Sequence, residues 1–155
     1  MQYALRKGDQ KLFTTGESMV MWSFERGWDT EDHGGGLLYF LDSEGHSPPY
    51  LEWDMKLWWP QCEAMIAFVL LYKETRQDKY LRLFSKVADY ALSRFSDADG
   101  GGEWVGYLNR RGERTHRFKG GPYKGCFHVP RALFMAFQTL QSIANPYEDL
   151  RQDMR

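Results

Sequence analysis

Apolar residues recur at helical spacing along most of the chain, interrupted by two glycine-rich loops with short β-like runs behind them. The clearest helix is predicted from Asp78 to Phe95, where Leu81, Phe84, Val87, Ala88, Ala91, Leu92 and Phe95 fall on one face. Met1 to Lys7 reads as the last turns of a helix that Gly8-Asp9 stops. Asp9 then opens a helix through Glu25, with Leu12, Met19 and Trp22 among its apolar positions and Gly27-Trp28-Asp29 at its end. A third helix is expected from about Trp59-Pro60, with the proline in its first turn, to about Lys73. A last one starts near Pro130, its apolar side lined by Leu133, Phe137 and Leu140.

Between these helices one arrangement occurs twice. Asp32-His33-Gly34-Gly35-Gly36 leads to the β-like run Leu37 to Leu41 and the turn Asp42-Ser43-Glu44-Gly45, after which Pro48-Pro49 keeps the chain extended. Asp97-Ala98-Asp99-Gly100-Gly101-Gly102 leads to a second run, Glu103 to Leu108, and a second turn, Asn109 to Gly112. A polar stretch, Arg114 to Lys119, then reaches Gly120-Gly121-Pro122. Each unit is thus a helix, a glycine loop, a β-hairpin and a new helix. Such units stack into toroids or solenoids because one cannot bury its own apolar face, and two are marginal. The pattern predicts a piece of a larger, helix-dominated repeat assembly.

Composition narrows the class. With 155 residues, 43% of them hydrophobic and 16% aromatic, the chain can build a sizeable core. A net charge of -1 and no basic stripe argue against a nucleic-acid partner. The longest apolar run, Ala64 to Tyr72, is too short to span a bilayer, and MQYALRKGDQ carries charges where a signal peptide is apolar. Cys62 and Cys126 lack metal-type spacing, so a reducing cytoplasm without a disulfide framework is expected. The polar stretch 145–155 reads as a tail that frays.

Candidate chemistry sits where each hairpin returns to a helix. In Lys56-Leu57-Trp58-Trp59-Pro60-Gln61-Cys62-Glu63, Trp59 and Glu63 share a helix face. An aromatic beside a carboxylate suits a sugar, one stacking on the ring and the other accepting from hydroxyls. Equally, Glu63 suits a helix N-terminus and Trp58 a core. In the second stretch His128 stands just ahead of a proline-started helix. Histidine titrates near neutrality and is suited to moving a proton to and from carbon, while the plainer reading is a capping or core histidine. Lys124 and Arg131 either orient a polar ligand or are solvated. The glycines around Lys124 hint at a phosphate loop, but neither nucleotide fingerprint fits. His33, His46 and His116 lie in predicted loops or turns, and no pair of histidines has metal-ligand spacing.

Two long strings carry a resemblance. Leu51-Glu52-Trp53-Asp54-Met55-Lys56-Leu57-Trp58-Trp59-Pro60 and Lys119-Gly120-Gly121-Pro122-Tyr123-Lys124-Gly125-Cys126-Phe127-His128-Val129-Pro130-Arg131 closely resemble the N-acylglucosamine 2-epimerase family, the renin-binding proteins. Gly27-Trp28-Asp29 with its glycine loop and Gly106-Tyr107-Leu108 fit the same pattern, so the likeness extends over about residues 5–143. It implies an all-α dominated fold, the C-terminal part of an (α/α)6 barrel with short β-hairpins between helices. Residues 1–144 would be the partial barrel and 145–155 the tail. It further implies interconversion of N-acetylglucosamine and N-acetylmannosamine at C2, with no required cofactor and ATP as an activator that is not consumed. His128 matches one of two catalytic histidines. Glu63 matches a position that supports a histidine, and Trp59 one that packs on the sugar. Tyr123 stands where cellobiose 2-epimerases have Trp, which favours the N-acyl branch. Tyr123, Lys124 and Arg131 are carried as substrate-binding positions. Cys126 matches a cysteine held important for activity, or is simply a small buried hydrophobe.

The resemblance also places the partner histidine upstream of Met1. With one base, proton removal and return occur on one face, so the chain alone is expected not to epimerise. An open barrel is expected to expose apolar faces, inviting a homodimer or the missing N-terminal half. The alternatives are another barrel member, such as a cellobiose 2-epimerase or an aldose–ketose isomerase, and a non-catalytic interaction module.

Overall fold

The computed structural model describes residues 7–97 and 101–145. Four α-helices lie within them: α1 (Gln10–Gly27), α2 (Trp58–Thr75), α3 (Asp78–Arg94) and α4 (His128–Ala144). A single 3-10 turn, Glu31–His33, and two short strands, β1 (Lys56–Leu57) and β2 (Tyr107–Leu108), complete the regular structure of the described residues. Residues 1–6 of the helix expected over Met1 to Lys7, and all of the expected tail but Asn145, lie outside the described residues; Lys7 is helical.

α2 is the centre. It is apolar on every side, burying Trp58, Cys62, Met65, Ile66, Phe68, Val69 and Leu71, because α3 packs on one flank and α4 on another. Arg76, in the left-handed region at φ 55°, ends α2 and turns the chain straight into α3, which makes the two an antiparallel hairpin. α3 buries Tyr80, Val87, Ala88, Tyr90 and Ala91, and Phe95 follows them into the core. Leu92, expected on that face, is half exposed.

The outer helices depart further from the pattern expected of them. α1 opens where Asp9 accepts a hydrogen bond from the Leu12 amide at 2.9 Å, an N-cap. It buries Phe13, Phe24 and Gly27, with Phe24 edge-on to Phe68 at 5.0 Å, whereas Leu12, Met19 and Trp22 face outward. α4 turns Val129, Ala132, Ala136 and Thr139 inward, and Leu133 and Phe137 outward, Phe137 to the extent of 64% exposure. The physical reason is steric. Small side chains let α4 approach α2 closely, and large ones are left on the far side. Among the described residues no element covers Met19, Trp22, Leu133 or Phe137, as expected for helices that meet neighbours on two sides of a larger assembly.

The β-like runs are also shorter than their sequences predict. Leu37 to Leu41 contributes one bridge, Leu37 to Trp28, and the amides of Tyr39 and Phe40 donate to the carbonyls of Met55 and Trp53. The Gln61 side chain explains the truncation. Its amide accepts from Leu37 N at 3.2 Å and donates to Leu37 O at 3.1 Å, standing in for a strand partner. Glu103 to Leu108 narrows to β2, which pairs antiparallel with β1 in the register Lys56↔Leu108 and Leu57↔Tyr107. The sheet therefore joins one repeat unit to the other. Where the first glycine loop crosses α3, only glycine fits. A Cβ on Gly36 would lie 2.3 Å from the Tyr90 ring, and its φ is 82°.

Candidate active site

The β1–β2 ladder sets the starts of α2 and α4 side by side. Trp58 N donates to Gly106 O at 3.2 Å, so α2 begins directly against the strand that precedes the second loop. One turn into α2, Glu63 faces the first turn of α4. His128 Nδ1 lies 2.8 Å from Glu63 Oε1, and Arg131 Nη2 donates to the same oxygen. All three side chains are partly exposed, so the group is open to solvent on one side. With Nδ1–H donating to the carboxylate, His128 is held in one tautomer and Nε2 is the nitrogen left to take a proton.

Aromatic rings fix the imidazole. Phe127 lies 5.0 Å from it, Trp59 6.1 Å at 40°, and Trp58 6.4 Å edge-on. Tyr39 packs edge-on against Trp59 at 6.3 Å, extending the aromatic wall into the first loop. Trp59 and Glu63 also line a cleft of about 510 Å³ between α1, α2 and residues 37–41, whose other walls include Met19, Phe24 and Phe68. The arrangement combines a positioned base, a carboxylate able to stabilise its charged form, and flat apolar faces beside them.

Trp59, Glu63, His128 and Arg131, singled out in the sequence, thus come together. The other candidates do not. Tyr123 is 84% exposed. Lys124 is 3% exposed, its ammonium donating to Glu103 Oε1 at 3.0 Å and to Lys119 O at 2.7 Å, which corrects its reading as a ligand contact or a solvated cation. Cys126 is exposed, not a buried small hydrophobe. Cys62 is the buried thiol, and burial pushes its pKa up to about 12. His33 leans on Asp29, His46 on Asp42, and His116 on the ring of Tyr107.

Sequence reasoning missed a buried ionic group behind the site. Lys56 is fully buried and donates to Asp29 Oδ2 at 3.0 Å, to Gly35 O and to Arg110 O at 3.0 Å. Arg110 donates to both oxygens of Asp29, at 3.1 and 3.3 Å. Burial opposes ionisation of Asp29, but the hydrogen bonds from Arg110 and Lys56 outweigh it and hold the pKa at about 2. Burial likewise lowers the pKa of Lys56, against the pull of Asp29. The signal available in the sequence was a lysine inside an otherwise apolar helix approach, Met55-Lys56-Leu57-Trp58. Such a lysine needs a carboxylate partner.

Known proteins share this framework. N-acylglucosamine 2-epimerase of Mus musculus is 49% identical over 149 residues, covering 96% of this chain and 35% of its own. The chain thus spans about a third of that relative's length. Cellobiose 2-epimerase from Spirochaeta thermophila superposes with a TM-score of 0.66 at 23% identity, over 91% of this chain and 34% of its own. A D-mannose isomerase superposes with a TM-score of 0.65 at 24% identity, over 75% and 28%. These likenesses identify the helices as a segment of an α/α barrel. The family model for N-acylglucosamine 2-epimerase (GlcNAc 2-epimerase) matches residues 1–132, which take in Trp59, Glu63, His128 and Arg131. By fold, by the order of its motifs and by direct sequence likeness, the chain belongs to the N-acylglucosamine 2-epimerase family.

Proposed function

We propose that this chain carries one half of a sugar 2-epimerase site, in which His128 moves the proton at C2 of an N-acylated amino sugar. The observation that carries the reading is the 2.8 Å contact between His128 Nδ1 and Glu63 Oε1. Opening the pyranose places an aldehyde beside C2 and acidifies its hydrogen. His128 Nε2 takes that proton, and Glu63 stabilises the imidazolium that forms. Arg131 fixes the carboxylate from its other side. Trp59 offers the flat face on which the apolar side of a sugar stacks.

Inversion needs a second group on the opposite face of C2. Among the described residues His33 pairs with Asp29, His46 with Asp42 and His116 with the Tyr107 ring, so none is assigned as that second group, and this half-site removes and returns a proton on one face. The complete reaction accordingly calls for a further segment of the barrel or a second copy. A reducing, cytoplasmic setting suits the two free thiols, and no helix among the described residues is long and apolar enough to cross a membrane.

The test is a panel of N-acetylglucosamine, N-acetylmannosamine, mannose and cellobiose in D2O, with ATP present and absent, followed by proton NMR at C2. Loss of the C2 signal in the two N-acetyl sugars supports the reading. Exchange confined to mannose moves the chain to aldose–ketose isomerases, and confined to cellobiose to cellobiose epimerases. No exchange with any of them supports an interaction module.

A further inference from the structure

The two repeat units place a buried lysine at matching points. Lys56 stands two residues ahead of Trp58, where α2 begins, and Lys124 stands four residues ahead of His128, where α4 begins. Both are removed from solvent, at 0% and 3% exposure, although lysine is among the residues least often buried. Each ammonium meets a carboxylate that follows the preceding helix, Asp29 after α1 and Glu103 after α3; Lys56 also donates to the carbonyls of Gly35 and Arg110, and Lys124 to that of Lys119.

Lys124 also packs toward the Trp58 ring, while Lys56 precedes Trp58 by two residues in the chain. The stem of Lys124 lies across Gly106, where an added Cβ would come within 3.0 Å of its Cδ and 3.4 Å of the Trp58 ring. Its ammonium sits 6.0 Å from the centroid of that same ring. Trp58 in turn meets the His128 imidazole edge-on. Between Lys124 and His128, Gly125, Cys126 and Phe127 are all exposed. Lys124 is therefore the last buried residue before the histidine, and Lys56 anchors the strand from which Trp58, Trp59 and Glu63 follow.

We infer that Lys56 and Lys124 are a matched pair of positioning residues, each clamping the loop that delivers a site-bearing helix, so that Glu63 on α2 and His128 on α4 meet. The catalytic part of this inference rests on the reading above, and the geometric part does not. Neither lysine touches the sugar. Their effect is on the orientation of His128 and the carboxylate behind it.

The test uses the full chain with Lys124→Met, which keeps the stem and removes the charge, and exposed Lys11→Met as control. Long-range 1H–15N spectra report the tautomer of His128 without any sugar. Lys124→Met is expected to convert a dominant Nδ1–H form into a mixture, and to slow C2 exchange about ten-fold or more with the sugar KM unchanged. Lys11→Met is expected to change neither. An unaltered His128 tautomer in a Lys124→Met chain of lowered Tm overturns the inference and makes the lysine merely structural. A raised KM with unchanged kcat overturns it too, making Lys124 a sugar contact. Should Lys124→Met fail to fold, Gly106→Ala and Glu103→Gln disturb the same clamp more gently and are judged by the same two outcomes. Asp29→Asn reads the Lys56 clamp in the same way. A tautomer that depends on Lys124 in a chain that exchanges no sugar supports the clamp and refutes only the epimerase reading.

Discussion

Asp29→Asn removes the carboxylate to which both Lys56 and Arg110 donate, while keeping the shape of the side chain. Its consequence can be worked out from one group. The folded pKa of Asp29 is about 2 against an ordinary 3.8, because the two cations outweigh the penalty of burial. That interval, at about 1.36 kcal/mol per pH unit, makes the ionised form worth about 2 kcal/mol to the fold at neutral pH. The folded pKa lies below the unfolded one. The contribution is therefore complete above 3.8 and is lost as the pH falls through about 2. Asparagine also leaves the Lys56 ammonium buried without its counter-charge, a change that costs about 3–5 kcal/mol in other buried pairs. For a chain of this length, Tm at pH 7 should fall by about 5–15 °C. The assay is thermal unfolding by circular dichroism at pH 7 and near pH 2, where the two proteins should converge. A drop under about 2 °C at pH 7, or an equal gap at both pH values, would refute the reasoning.

The remaining predictions concern packing and thiol chemistry. Gln61→Leu strands the amide and carbonyl of Leu37 and should cost about 2–3 kcal/mol in urea titration, where a conservative effect below about 0.5 kcal/mol would show that the side chain is no substitute strand. Phe68→Ala, in the buried centre of α2, should cost about 3–5 kcal/mol, whereas Phe137→Ser on the outward side of α4 should change stability by about 0.5 kcal/mol or less. Equal losses at the two positions would mean that α4 presents the other face. Cys126 should react with a thiol reagent at once at pH 8, while Cys62, buried and pushed up to about 12, should react only in denaturant. Fast labelling of both in the native chain would contradict the packing of α2.

Much of this was written in the sequence where one physical rule acted alone. The period of apolar residues located α3, the Pro60 signal placed the start of α2 to within two residues, and Asp9 was the N-cap of α1. Which face each outer helix buries was not legible. Periodicity weighs Leu133 and Phe137 above Ala132 and Ala136, but close helix approach selects the small side chains. The strands are shorter than alternation predicts; at Leu37 a glutamine side chain, invisible to alternation patterns, serves in place of a strand. Within the candidate site, Trp59 with Glu63 and His128 with Arg131 were readable as pairs by helical spacing. Their meeting across 65 residues between Glu63 and His128 depends on the β1–β2 register, which no local pattern contains. The inward turn of Lys124 was equally hidden, since an isolated lysine beside glycines reads as a solvated or ligand-facing charge.

The proposed role of the His128–Glu63 pair as a base at C2 has one direct test. The measurement is the stereochemistry of deuterium at C2 after incubating N-acetylmannosamine with the purified chain in D2O, alongside His128→Ala and Glu63→Gln. Exchange with retained configuration, abolished by His128→Ala and slowed by at least about ten-fold in Glu63→Gln, is the predicted result. Exchange that survives His128→Ala, or inversion by a chain shown to be monomeric under the assay conditions, would contradict it.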